Sequence, residues 1–181
     1  MFKSIFSKYI TVFMLIIVIS FVALVGIITS TVNRYSASAK SELVEGTARS
    51  VALYLEDRLA HTGLSDFSSY IILNEPDISA VMKVITANSN DITILVTDTA
   101  GNIIYYTDSA VSRVNTGVSI PKTLMDELMT GVEISQLDYL EGVFDRRHMI
   151  YAVPVYNSNN YICGAVFVCS ASVTLSDLLE A

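Results

Sequence analysis

Basic residues are scarce and scattered: 11 Lys+Arg stand singly or in pairs among 181 residues, against 18 Asp+Glu. A chain with net charge -7 and no basic cluster lacks the electrostatic footprint of a nucleic-acid binder. Two cysteines are too few for a disulfide scaffold. Two histidines leave little room for zinc or triad chemistry, and no Ser/His/Asp set or paired catalytic carboxylates appear. No Gly-rich nucleotide loop, internal repeat or low-complexity linker is present, and nothing in the sequence asks for a cofactor. Charge of either sign is thin, at 16% of residues, while 52% are hydrophobic, which excludes a disordered chain.

The apolar excess is concentrated. No charge occurs from Tyr9 to Asn33, and Ile10 to Ile28 is broken only by Thr11, Ser20 and Gly26. A helix of about 20 residues crosses a bilayer core of about 30 Å. Residues 9–33 are therefore expected to span the lipid bilayer. Lys3 and Lys8 place residues 1–8 in the cytoplasm and the chain from Thr31 on outside. The run exceeds the apolar region of a cleavable signal peptide, about 7–15 residues. Ala37-Ser38-Ala39, the nearest cleavage-like triplet, lies well beyond it, so an uncleaved anchor is expected. Without the anchor the exported part has an ordinary apolar content and nine basic against 18 acidic residues.

Residues 34–60 read as a helix with one apolar stripe of Val44, Ala48, Val51, Leu55 and Leu59. The stripe serves packing within the domain, pairing with a second copy, or both. A loop or short helix over 61–73 leads to a helix opened by Pro76, which carries Ile78, Val81, Met82 and Ile85 and stops at Asn88-Ser89-Asn90. β-Branched runs at Ile92–Asp98 and Ile103–Asp108 flank a Gly101 turn and predict a hairpin. After a polar loop holding Gly117, Pro121 and Gly131 bound a helix. Strands are expected at Glu133–Tyr139, Phe144–Tyr156 and Tyr161–Ala171, with a turn at Glu141-Gly142. The last is apolar on both faces and belongs inside the sheet. Ser172 or Thr174 caps a final helix to Ala181. The fold class is α+β.

Val-Thr-Asp-Thr-Ala-Gly-Asn-Ile-Ile-Tyr-Tyr-Thr-Asp (96–108) and Met-Ile-Tyr-Ala-Val-Pro-Val-Tyr (149–156), with Gly-Ala-Val-Phe-Val (164–168) after them, resemble the hairpins of PAS-like extracytoplasmic sensor domains. These are the Cache (PDC) domains of bacterial receptors, here similar above all to the input module of two-component sensor histidine kinases. The resemblance implies a five-stranded antiparallel sheet at 34–171, backed by the long N-terminal helix and preceded by one transmembrane helix. A small ligand or ion binds the sheet's other face, under loops and the helical crossover. Residues 172–181 then begin a linker to a second membrane helix, and the module is a homodimer through 34–60. His61-Thr62-Gly63 and His148-Met149-Ile150 do not resemble a phospho-acceptor box, so this chain itself is not expected to be an enzyme. A chemotaxis receptor or a cyclic-nucleotide signalling protein is the alternative setting. A membrane-tethered extracytoplasmic enzyme is the third, and it lacks a visible nucleophile.

Candidate ligand residues are Arg146, Arg147 and His148, read as the start of a strand that places Arg146 and His148 on one face, with Ile150 and Ala152. Arg147 shares the other face with Met149 and Tyr151. Guanidinium groups bind carboxylates bidentately, so an anionic ligand fits; the resembled family places a basic residue here for that purpose. A solvated strand start beside Asp145 is the plainer reading. Tyr105, Tyr106 and Asp108 on the second strand, and Tyr151, offer aromatic walls and polar tips, though sheet packing alone also favours tyrosine. Asp126, Glu127, Glu133, Asp138, Glu141 and Asp145 are oxygen donors for a divalent ion in principle but have no metal-loop spacing, and a solvated acidic face is the default. His61 reads as a surface or capping residue. Cys163 and Cys169, six apart on one strand, are roughly 20 Å apart and cannot bridge. They are expected as free thiols on one face with Ala165 and Phe167.

Overall fold

A computed structural model describes residues 2–62, 66–87, 91–107 and 119–171. The expected polar loop with Gly117, the final helix and linker at 172–181, the stop at Asn88-Ser89-Asn90 and Asp108 lie outside the described residues. The chain forms two compact units, Met1–Lys40 and Ser41–Ala181. In the first, Lys8–Val32 is an unburied helical stretch of mean hydropathy 3.0, long and apolar enough to cross a membrane.

The second unit holds the C-terminal part of α1 (Phe2–Thr62), then α2 (Phe67–Leu73), α3 (Glu75–Thr86), β1 (Ile92–Asp98), β2 (Ile103–Tyr106), α4 (Lys122–Leu128), β3 (Ile134–Asp138), β4 (His148–Tyr156) and β5 (Ile162–Ala171). Asp66 caps α2 by accepting the Ser69 amide at 2.8 Å. Pro76 lies in the first turn of α3, where its missing N–H is harmless. Gly101, at φ 86, turns β1 into β2 where only Gly sits at ease, with the Ile120 carbonyl pressed against it.

The strands form one antiparallel sheet in the order β2-β1-β5-β4-β3. β5 is central, which explains an apolar sequence on both faces. Alternation sorts the side chains into two cores. Tyr105, Val96, Val166 and Val153 form a row across the sheet and face the α1–α3 side. Leu95, Phe167, Ala152 and Ile134 face the α4 side. The α1 stripe Val44, Ala48, Val51, Leu55 and Leu59 is no more than 2% exposed, so it packs within the domain. At about 25 cal/mol per Å² of apolar surface removed from water, such rows dominate the favourable side of folding.

Two expectations are corrected. β4 begins at His148, not Phe144. Leu140, Glu141 and Gly142 take φ of 49, 45 and 96, and Phe144 N–H donates to the Tyr139 carbonyl at 3.1 Å, so the chain is still turning there. Arg146 is therefore not a strand residue sharing a face with His148. The second correction concerns the cysteines, both of which are free. Tyr156 pairs with Ile162 and Val155 with Gly164, leaving Cys163 as the extra residue of a bulge. The bulge flips the alternation: Cys163 packs against the α1–α3 core, while Cys169 joins Ala165 and Phe167 on the α4 side.

Candidate functional site

The sheet face under α4 is the expected ligand face, and it is built largely from apolar side chains. Leu124, Met125 and Leu128 of α4 cover Leu95, Ala165 and Phe167. Thr97 contributes a buried hydroxyl 3.9 Å from the Met125 sulfur. At the β1–β2 turn, the Asp98 carboxylate accepts N–H groups from Ala100 at 2.9 Å and Asn102 at 2.8 Å. Ser119 donates its hydroxyl to the Asn102 side chain at 3.3 Å, which ties the turn to the entry of α4.

The predicted residues distribute over this frame unevenly. Tyr106 and His148 do reach the α4 side of the sheet. Tyr106 pairs with Leu95, in the row that reaches β4 at Ala152, whereas His148 lies four residues before Ala152 on β4. That places them about 14 Å apart across the strands and about 13 Å along them. One small ligand cannot touch both. His148 is 4% exposed, its ring stacks on Phe144 at 4.0 Å, and its Nδ1 is 2.8 Å from the Arg146 carbonyl, which places the proton on Nδ1. The chain bends at Asp145 and Arg146, and Arg146 and Arg147 are both exposed just before β4. The Arg147 guanidinium lies 5.6 Å from the Tyr139 ring centroid, and both residues are exposed. A basic rim beside a buried imidazole therefore marks the His148 end of the face.

Tyr105 and Tyr151 face the opposite side. Tyr105 is buried in the α1–α3 core; the β2 bulge puts Ile104 on that same side, and simple alternation sends Tyr106 to the other. The Tyr151 hydroxyl donates to Glu133 Oε2 at 2.5 Å and accepts from Arg49 Nη2 at 3.1 Å. Burial, chiefly, and then the Glu133 hydrogen bond push the Tyr151 phenol up to about 12. Glu133 thus serves an ion pair with α1 rather than a cation site. Among the described residues no group of three or more His, Cys, Asp or Glu is placed to hold a metal. His61 takes no such role either: it contacts the Asp57 carbonyl at 2.6 Å near the end of α1.

The functional elements that local sequence reading missed are long-range. Arg49 and Glu133 are 84 positions apart, and Glu56, 100 positions from Tyr156, accepts its N–H at 2.8 Å. Neither pairing leaves a periodic trace.

No protein-family model matches the chain, and no curated protein matches it. Solved structures do. The sensor domain of the V. cholerae histidine kinase DctB is 18% identical with a TM-score of 0.56, matching 82% of this chain and 56% of its own. The ligand-binding domain of the Campylobacter jejuni chemoreceptor Tlp3, solved with 4-methylisoleucine, is 15% identical with a TM-score of 0.51 over 78% of this chain and 53% of its own. An extracellular ligand binding receptor from Desulfohalobium retbaense is 16% identical at 0.50, with 78% and 24% covered. The chain thus spans about half the length of the first two structures and about a quarter of the third. Sheet order, helical backing and these likenesses agree: the fold is the PAS-like, Cache-type α+β fold of bacterial sensor and ligand-binding domains.

Proposed function

We propose that this chain is the extracytoplasmic ligand-sensing region of a membrane sensor histidine kinase, with a small anion as its ligand. The observation that carries the reading is the joining, in one chain, of a membrane-length apolar segment to a domain of the sensor fold. Lys3 and Lys8 orient the N-terminus to the cytoplasm and the domain outside. The ligand sits at the His148 end of the α4-side face, where Arg146 and Arg147 supply guanidinium groups to a carboxylate and His148 supplies a polar floor. Tyr106 borders the same face, while Tyr105 and Tyr151 support it from behind. Binding selects one of two arrangements of β4 and β5, since a ligand shifts only an equilibrium whose states it binds unequally. Residues 34–60 pair with a second copy, for which α1 offers Leu43 and Leu53, 49% and 64% exposed. The role is sensing, not catalysis.

The likeness to a chemoreceptor domain favours a second setting, in which the same input drives a chemotaxis receptor; a cyclic-nucleotide output is the further variant.

The test is a thermal-shift panel on the full chain in detergent micelles, using small carboxylates, amino acids and divalent ions. A carboxylate at 100 times its Kd stabilises by about 2.7 kcal/mol. The shift is expected to vanish in Arg146→Ala or Arg147→Ala. A carboxylate shift untouched by both substitutions, or no shift from any member of the panel, defeats the proposal.

A further inference from the structure

Behind the sheet, on the side away from α4, α1, α2 and α3 enclose a cleft of about 590 Å³. That volume falls within the range of about 300–1,000 Å³ typical of small-molecule pockets. Its apolar surface comes from Tyr70, 2% exposed, from Ile78, fully buried, and from Tyr54 on α1. Besides His61, its lining carries one cation and one anion: Arg58 from α1 and Asp77 from the first turn of α3. Neither belongs to an ion pair among the described residues. The Arg58 guanidinium lies 5.7 Å from the Tyr54 ring centroid, which holds the cation against an aromatic wall. Burial, chiefly, holds the Tyr70 phenol above its ordinary value; Tyr54 adds to the rise, Arg58 lowers it and Asp77 raises it. Arg58 and Asp77 thus line the same cleft as the buried Tyr70.

We propose that this cleft is a second ligand site, separate from the α4-side face, for a small zwitterion with an apolar body: an α-amino acid. Its carboxylate pairs with Arg58, its ammonium with Asp77, and its side chain lies on Tyr54, Tyr70 and Ile78. A ligand of one sign would meet a like charge across the cleft, whereas a zwitterion satisfies both and leaves no charge uncompensated. Aromatic walls add contact area without demanding a particular side chain. Both charges come from α1 and α3, so ligand binding there braces the C-terminal part of α1 against α3.

The experiment is isothermal titration of the full chain in detergent micelles with each of the twenty proteinogenic L-amino acids. At least one is expected to bind saturably. For that amino acid, the N-acetyl derivative and the α-amide each bind about tenfold more weakly or worse. Arg58→Ala and Asp77→Asn each weaken it by about tenfold or more, as the loss of a charge-assisted contact does. Arg146→Ala and Arg147→Ala leave it within twofold. Arg58 and Asp77 are exposed, so both variants should keep the wild-type melting temperature in the absence of ligand. The proposal is overturned if no amino acid binds, or if both cleft variants bind as the wild type does. An effect confined to one of the two variants assigns the cleft to a singly charged ligand and overturns it equally.

Discussion

Arg49 of α1 clasps Glu133, at the entry to the edge strand β3, with Nη2 2.7 Å from Oε2 and Nε 3.2 Å from Oε1. Glu45, one helical turn earlier, holds the same guanidinium at 2.9 Å from Nη1, and the Tyr151 hydroxyl closes the group. The fork geometry matches what guanidinium and carboxylate each prefer. It links the helix behind the sheet to the segment that joins α4 to β3, and so to the two sides of the domain.

Glu133→Gln tests the energetic weight of this link. Arg49's hydrogen bond, chiefly, holds the Glu133 carboxyl below its ordinary value. A depressed carboxylate contributes stability above its unfolded pKa, and the contribution is lost as pH falls through the folded pKa. Glu133 is 33% exposed at its side chain, so screening keeps the contribution under about 1 kcal/mol. Urea unfolding should show the full gap between wild type and Glu133→Gln at pH 7, and the gap should close as pH falls below about 4. A gap unchanged at pH 3 would sink the assignment.

The Tyr151 phenol, pushed up to about 12, gives the same cluster an alkaline signature. A raised pKa contributes stability that is complete below the unfolded value near 10 and is lost as pH rises through the folded value. Ultraviolet titration should show one phenol ionising near 12 that is missing in Tyr151→Phe. In Glu133→Gln it should move down only part of the way, because burial is the larger cause. A Tyr151 titration near 10 in the wild type contradicts the hydrogen-bonded geometry.

Gly164 of β5 sits where a side chain has no room: an added Cβ would run into the Thr97 carbonyl and the Phe67 ring. The backbone wall cannot yield, and Phe67 is 2% exposed in the α1–α3 core. Gly164→Ala should therefore destabilise by about 1–3 kcal/mol or more, the usual penalty of overpacking. Denaturant melts of the two chains settle it, and equal midpoints would mean that β5 and α2 do not meet as described.

Local patterns in the sequence carried the architecture further than the site. The spacing from Val44 to Leu59 is a property of one helix, and all five residues are buried as that spacing requires. The doubly apolar β5 announces its central place in the same way. The start of β4 was hidden because three successive left-handed residues, two of them not glycine, prolong the turn past Gly142. Side-chain direction failed at Cys163 because one inserted residue reverses the alternation beyond it, and a bulge has no composition of its own. Arg49 reads as a solvent-facing charge on its own helix, since its partner comes from a different element. Asp66 ahead of Phe67 and Ser69, by contrast, is a readable cap signal for α2 within a stretch that suits loop or helix alike.

The bulge also predicts the behaviour of the two thiols. Burial pushes the Cys163 thiol up to about 11 and the fully buried Cys169 thiol further up. Cys163 rests its sulfur 3.4 Å from the Val155 carbonyl on one side of the sheet, while Cys169 lies in the α4-side core. Since the thiolate is the nucleophile, a rise from 9.0 to about 11 cuts the reactive fraction at pH 8 by about a hundredfold. Iodoacetamide at pH 8 should therefore label native Cys163 about a hundredfold more slowly than the urea-denatured chain, and Cys169 more slowly still. Mild oxidant should leave both as thiols within the monomer, because they lie on opposite sides of the sheet and their Cα atoms are too far apart. Labelling of native Cys163 at the denatured rate would contradict its burial, and an intramolecular disulfide in non-reducing mass spectrometry would contradict the placement of both cysteines on β5.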